Sequence, residues 1–174
     1  DLSFLRYAIC GGDILPKSLE DKVNEYFEKH NSSARITQGY GMTEAVAAVC
    51  LDQKYASRPG TIGIPFPGNY IKIVKPGTDE EVGIDEDGEL CICGPTVMLG
   101  YYNNEKETNE ALHIHKDGNI WLHSGDIASM DKDGYITYKQ RLKRMIVTSG
   151  YNVYPSQIEE VIERHEAVVD CSVI

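Results

Sequence analysis

No stretch of the 174-residue sequence approaches the roughly 20 consecutive apolar residues that a membrane-crossing helix needs, so no such helix is expected. Basic charge is also scarce: 17 Lys and Arg stand against 27 Asp and Glu, a net charge of −10. That balance excludes a sequence-independent nucleic-acid binder, which works by presenting cations to phosphates. Cysteine is sparse and irregular. Five residues, an odd number without regular spacing, give no disulfide framework, and free thiols in a reducing cytoplasm are expected. Cys91 and Cys93 lie two apart in an apolar run, which on a strand points both to one face. Zinc ligation is disfavoured there, because no second Cys or His pair has suitable spacing. An initiator Met and a targeting segment are absent too. The sequence starts just before one apolar run and stops inside another, Val168 to Ile174, and so reads as a piece of a longer protein.

What is present is the composition of a soluble globular domain, with 41% apolar and 25% charged residues. Phe4 to Cys10 reads as a buried strand ending at Gly11-Gly12. Pro16 opens a helix with Leu19, Val23, Tyr26 and Phe27 on one face. Ala34 to Gln38 is a second strand, leading into Gln38-Gly39-Tyr40-Gly41-Met42-Thr43-Glu44. This is an α/β pattern with glycines at the strand ends, where α/β sheets gather ligands. From about Gly60 short β segments take over: Tyr70 to Val74, Glu89 to Cys93, Asn119 to His123 and Gly134 to Lys139. Asp87-Gly88, Asp117-Gly118 and Asp133-Gly134 mark hairpin turns. After Lys143 come a strand at Met145 to Thr148, a loop or strand to Tyr154, a helix opened by Pro155 with apolar Ile158, Val161 and Ile162, and a last strand. The expected fold is α/β plus β. Residues 1–59 are the end of an α/β subdomain, 60–142 a β-rich distorted barrel or small sandwich, and 143–174 the start of a small α+β domain.

Two metal motifs fail. Ser129-x-Asp131-x-Asp133-Gly134 puts Gln140 where a calcium loop needs a bidentate acid, and the similar run from Gly83 puts Gly94 there. His113 and His115 could share a strand face, but a polar sheet edge is the expected reading. The heptapeptide offers a ring, tight backbone, a hydroxyl and a carboxylate, a kit suited to a nucleotide, although a Gly-x-Gly turn is often only a turn. The basic cluster Lys139, Arg141, Lys143 and Arg144 marks a place for an anionic ligand in an acidic chain.

Four segments stand in order: Gln38 to Glu44; Gly88 to Tyr102; Trp121-Leu122-His123-Ser124-Gly125-Asp126; and Gly134-Tyr135 with Arg141 to Ile146 and Gly150 to Pro155. Together they resemble the adenylate-forming enzyme superfamily of acyl- and aryl-CoA synthetases, luciferase-like enzymes and peptide-synthetase adenylation domains. The resemblance implies ATP-dependent activation of a carboxylic acid to an acyl-adenylate, followed by thioester formation with coenzyme A. It implies Tyr40 on adenine, with Gln38, Gly39 and Gly41 in the same nucleotide-binding segment and Gly11 and Gly12 as a backbone wall. Thr43 would hold phosphate and Glu44 Mg²⁺, Asp126 would accept the ribose hydroxyls, and Arg141 would add a ribose or phosphate contact. Lys143 falls at the family's hinge and Gly150 in the loop that meets the pantetheine arm. Asp13 departs from the family, which often has Ala after the paired glycines. Met145-Ile146 and Pro155 look more like CoA ligases, including those of fatty acid metabolism, than like carrier-loading domains. The alternatives are an adenylation domain serving a carrier protein and a non-catalytic nucleotide-binding module. Residue by residue, Asp126 as a turn cap, Arg141 as a surface charge and Glu44 as a first-turn acid are the plain readings.

The family's phosphate loop should lie upstream and its catalytic lysine downstream of these residues. The 174-residue chain alone is therefore expected to form no adenylate, and ATP–pyrophosphate exchange by the purified chain would overturn that expectation.

Overall fold

The computed structural model describes residues 1–53, 55–148 and 151–174. Its first sheet has four strands. The first, β1 (Ala8–Cys10), pairs in parallel with β2 (Ile36–Met42). Antiparallel β3 (Ala47–Leu51) and the two-residue β4 (Ile64–Pro65) continue it. Helix α1 (Lys17–Lys29) crosses from β1 to β2, the right geometry for parallel neighbours. The second sheet holds β5 (Tyr70–Val74), β6 (Gly88–Cys93), β7 (Leu112–Ile114), β8 (Ile120–Met130) and β9 (Ile136–Arg141). The long strand β8 pairs with β6 along one edge and is shared by β7 and β9 on the other. The sheet is open, so the expected barrel does not close. A hairpin of β10 (Ile146–Thr148) and β11 (Tyr151–Val153) precedes helix α3 (Pro155–Glu163).

The core lies between the two sheets. Val49 and Cys50 from β3 meet Ile73, Leu90, Ile92, Leu122, Ala128 and Ile136 from the second sheet, with Ile62 from the connection. Leu90, Ile92 and Leu122 are fully buried, each contributing about 1.5–3 kcal/mol. Alternation along β6 then sends Glu89 and Cys91 to the opposite face, beside Trp121 and His123 of β8.

Several expectations need correction. The first strand is three residues long, and Phe4, Tyr7 and Ile9 are exposed rather than buried. Helix α1 is present, but Leu19 and Tyr26 are exposed while Glu20 and Asn24 are buried. The helix is anchored through polar groups: Asn24 Oδ1 accepts the Ile36 amide at 2.9 Å. Of its apolar stripe, Val23 and Phe27 are half-buried. Strand β2 runs on through Gln38–Met42, so most of the heptapeptide is strand, and Thr43–Ala45 is a 3-10 turn. Asp117-Gly118 and Asp133-Gly134 do lie in hairpin turns. Asp87-Gly88 instead ends the long connection from β5, with Gly88 already in β6. Arg58 ties the second of these turns down by ion pairs to Asp131 and Asp133 and lies over the Tyr135 ring. Residues 168–174 form no strand; they lie against α3 instead, where Glu159 Oε1 accepts the Val173 amide at 2.9 Å. Short, mostly polar α2 (Glu105–Ala111) is not among the expected elements; Asn104 caps it by accepting the Glu107 amide, and Ala111 packs against the core.

The β2–β3 turn holds two non-glycine residues in the left-handed region, Val46 at φ 53° and Ala47 at φ 76°. A β-branched residue is costly there. Val46 is exposed, so its side chain contributes little packing. Val46→Gly is expected to stabilise the chain by about 1 kcal/mol, the strain relieved less glycine's added chain entropy. An unchanged or lowered urea midpoint would count against this.

Candidate adenylate-binding site

A cavity of about 220 Å³ opens where the carboxyl ends of the first sheet meet β8 and β9. Gly12, Gln38, Gly39, Tyr40, Gly41, Asp126 and Arg141 line it, all of them singled out by the sequence. Residues 86 positions apart meet at its floor: the Tyr40 hydroxyl donates to Asp126 Oδ2 at 2.6 Å. Tyr40 gets there because β2 is held close on both sides. A Cβ on Gly11 would press on the Gly39 carbonyl oxygen at 3.3 Å, and one on Gly41 would fall inside the Ala47 carbonyl. Gln38 turns its Oε1 to the Leu15 amide at 3.3 Å, fixing the loop after β1.

Asp126 is delivered by an irregularity in β8. Between the pairs Glu89↔Ile127 and Cys91↔His123 the register slips, and Gly125 takes φ 69°. Within this bulge Ser124 Oγ accepts the Asp126 amide at 3.1 Å, and Glu89 Oε1 accepts the Gly125 amide at 3.1 Å. Asp126 is 1% exposed. Burial pushes its carboxyl above the ordinary aspartate value, and the Tyr40 hydrogen bond and the Arg141 charge offset that in part. Arg141 Nε lies 3.2 Å from Oδ1 but off the line of a hydrogen bond, so it supplies charge while Oδ1 makes no hydrogen bond. A buried carboxylate with an unused acceptor is placed to bind hydroxyl groups. Burial, then the Asp126 charge, raises the Tyr40 phenol and keeps it a donor.

Thr43 and Glu44 are not among the cavity's lining residues. Thr43 is exposed, and Glu44 Oε1 accepts from the Tyr101 hydroxyl at 2.7 Å. Lys143 is exposed in the 3-10 turn Leu142–Arg144. Gly11 packs against Gly39 just outside the cavity, and Gly150 lies outside the described residues. Asp13 lines the cavity and accepts the Ile14 amide at 2.8 Å.

Four further polar residues of the lining, Tyr138, Gln140, Arg144 and Ser156, are not among the candidates the sequence offers. Tyr138 faces Tyr40 with ring centroids 6.1 Å apart, its phenol pushed up to about 12 by burial, then by the Asp126 charge. Gln140 is buried with Nε2 unbonded, beside Ser156 of α3. Arg144, noted only within the basic cluster, pairs with Glu159 at 2.6 Å. Period-2 alternation places Tyr138 and Gln140 on the face of Ile136, a signal available in the sequence. A wider cleft of about 800 Å³ adjoins, between α1 and α3, and shares Asp13, Gln38, Tyr138 and Arg144 with the smaller one.

The family described as AMP-binding enzyme matches residues 1–102. A probable 4-coumarate–CoA ligase of Dictyostelium discoideum is 41% identical over the whole chain, which covers 30% of that protein. The luciferin 4-monooxygenase of Photinus pyralis is 39% identical over 99% of the chain, again 30% of that protein. Among solved structures, the anthranilate CoA ligase AuaEII in complex with anthranoyl-AMP superposes with a TM-score of 0.81. It is 29% identical, with all of this chain and 32% of that one covered. The chain thus spans about a third of the length of the relatives it matches. No helix among the described residues is long and apolar enough to cross a membrane. By its sequence and its fold, the chain belongs to the AMP-binding enzyme family of adenylate-forming ligases.

Proposed function

We propose that this chain supplies the floor of an adenylate site in an enzyme that activates a carboxylic acid with ATP and passes the acyl group to coenzyme A. The observation that carries the reading is Asp126: a buried carboxylate at the base of a cavity, flanked by an aromatic hydroxyl and an arginine, with one oxygen unbonded. A carboxylate desolvated at that cost and left partly unused is expected where a ligand completes it. The two Asp126 oxygens divide the work, Oδ2 holding Tyr40 in place and Oδ1 accepting from ribose. Tyr40 and Tyr138 provide aromatic surface for a base, and Arg141 with Arg144 provides positive charge for phosphate.

Glu44 fits a magnesium role in its donor chemistry. One oxygen is held by Tyr101, which orients the carboxylate, and the other remains for a hard cation alongside phosphate oxygens and water. Bound Mg²⁺ would neutralise phosphate charge. In the first step the substrate carboxylate attacks the α-phosphorus of ATP and pyrophosphate leaves. In the second the thiol sulfur attacks the acyl carbon and AMP leaves. The protein's part is positioning and charge stabilisation. Lys143 and Gly150 are assigned to the hinge and to the pantetheine-facing loop. The division at residues 59 and 142 follows the same reading.

The test is AMP release by the full-length protein from ATP across a panel of aromatic and aliphatic acids. Release that requires both an acid and coenzyme A is expected. ADP formation, or AMP release independent of the thiol, would overturn the assignment.

A further inference from the structure

The face of the second sheet that points away from the core gathers a second cluster of reactive side chains. It is joined to the nucleotide cavity through Glu89, which meets His123 with one oxygen and accepts the Gly125 amide with the other. Cys91 of β6 stands directly opposite His123 of β8, and Lys72 of β5 opposite Cys91. His115, just beyond β7, reaches the same place: its Nε2 lies 2.9 Å from His123 Nε2. The expected polar edge is wrong for this residue, since His115 is 4% exposed and Cys91 is fully buried. Local spacing hid the group. Two pairs that look unremarkable apart, Cys91/Cys93 and His113/His115, are laid side by side by strand pairing through β8.

We infer that Cys91, His115 and His123 form a binding site for a single thiophilic divalent cation of the zinc class, a site separate from the adenylate cavity. The three ligand atoms lie within 4.8 Å of one another. Zinc–nitrogen bonds of about 2.0 Å and zinc–sulfur bonds of about 2.3 Å put tetrahedral ligands roughly 3.3–3.6 Å apart, so small side-chain rotations suffice. One thiolate and two imidazoles are a zinc donor set, with the fourth position left to water.

The surroundings support ligation. His123 Nδ1 is 2.9 Å from Glu89 Oε2, the carboxylate–histidine arrangement that orients a metal-binding ring and leaves Nε2 to the metal. Glu89 is itself fixed, its other oxygen accepting the Gly125 amide. The His115–His123 contact makes a poor end in itself. Only one hydrogen can lie between the two Nε2 atoms, 2.9 Å apart, so one lone pair or one N–H of the two rings is always badly placed. A cation between the rings uses both Nε2 lone pairs. Charge also balances: the Cys91 thiolate and Glu89 offset two positive charges. Lys72 is separately neutralised by Asp117 at 3.3 Å, with its ammonium over the Trp121 ring.

The test is competition of the metal-free 174-residue chain with a chromophoric chelator for Zn²⁺ at neutral pH. One Zn²⁺ per chain is expected, with a rise of several degrees in Tm. Cys91→Ser and His115→Ala, each removing a direct ligand, should weaken binding by at least about the 10- to 100-fold that losing an outer-shell partner costs. Cys93→Ser should bind as the parent does. With Co²⁺, the thiolate-to-metal charge-transfer band should appear in the parent and in Cys93→Ser and be missing from Cys91→Ser. Thermal melts of the metal-free variants show that they are folded. No stoichiometric binding would overturn the site, as would Zn²⁺ binding that persists in both Cys91→Ser and His115→Ala, which would place the ion on surface carboxylates.

Discussion

Gly41→Ala is expected to destabilise the chain by at least about 3 kcal/mol and to leave much of it unfolded near 37 °C. Small domains hold only about 5–15 kcal/mol in total, so this is a large share. The cause is backbone against backbone. Gly41 pairs with Ala48 just after a register shift in the β2–β3 ladder, and the added methyl would occupy the place of the Ala47 carbonyl. No rotamer relieves that clash. The two strands must separate, taking Val49 and Cys50 out of the core they share with Leu90 and Leu122. Neighbouring glycines give the scale. On Gly39 a methyl meets the Cys50 carbonyl oxygen at 3.3 Å, and on Gly11 it meets that of Gly39 at the same distance. Both substitutions should cost about 1 kcal/mol, the usual size for a single change. Urea denaturation of the three variants would check the order. A Gly41→Ala midpoint no lower than that of Gly39→Ala would mean the turn is built differently.

That series shows what the sequence made legible and what it did not. Gly-Tyr-Gly reads locally as permissive backbone near a ligand, and the cavity has all three residues in its lining. The demand on Gly41 comes from Ala47, across a turn whose left-handed Val46 no propensity suggests. Strands β5, β6 and β9 follow from alternation, because one face of each meets the core. Alternation also starts β8, but it runs on to Met130 through a bulge at Gly125, and that bulge sets Asp126 in place. Helix α1 was visible as an amphipathic period, yet its buried side is Glu20 and Asn24, since the strand it meets offers an unpaired amide. The Cys–His group was invisible because its members share no local spacing and meet only through the pairing of β6, β7 and β8.

Asp126→Asn should separate folding from binding. In the folded chain burial lifts the Asp126 carboxyl above 3.8, with Tyr40 and Arg141 pulling the other way. A raised folded value means the folded state holds its proton more tightly than the unfolded chain does. The resulting stability is present below the ordinary aspartate range and is lost as pH rises through the folded value. At neutral pH the parent therefore carries a desolvated charge that Asn removes. Asn keeps a carbonyl oxygen to accept the Tyr40 hydroxyl, so the local geometry can persist. The variant should match the parent near pH 3, exceed it by about 1 kcal/mol at pH 7, a typical size for one substitution, and show a flatter pH profile. Binding should move the opposite way. With its oxygen given to Tyr40, the Asn side chain turns an NH₂ donor toward Arg141 and toward the ribose hydroxyls that need an acceptor. Losing a charged hydrogen bond costs about 1.5–3 kcal/mol, so AMP affinity of the full-length protein should fall by roughly 10- to 150-fold. Melting curves across pH and calorimetric AMP titrations check the two halves independently. A variant less stable at pH 7 would make Asp126 a structural anchor held by Tyr40 and Arg141. Unchanged AMP affinity would remove it from the nucleotide site. A gain in stability together with a loss of affinity is the signature of a charge retained for its ligand at the expense of the fold.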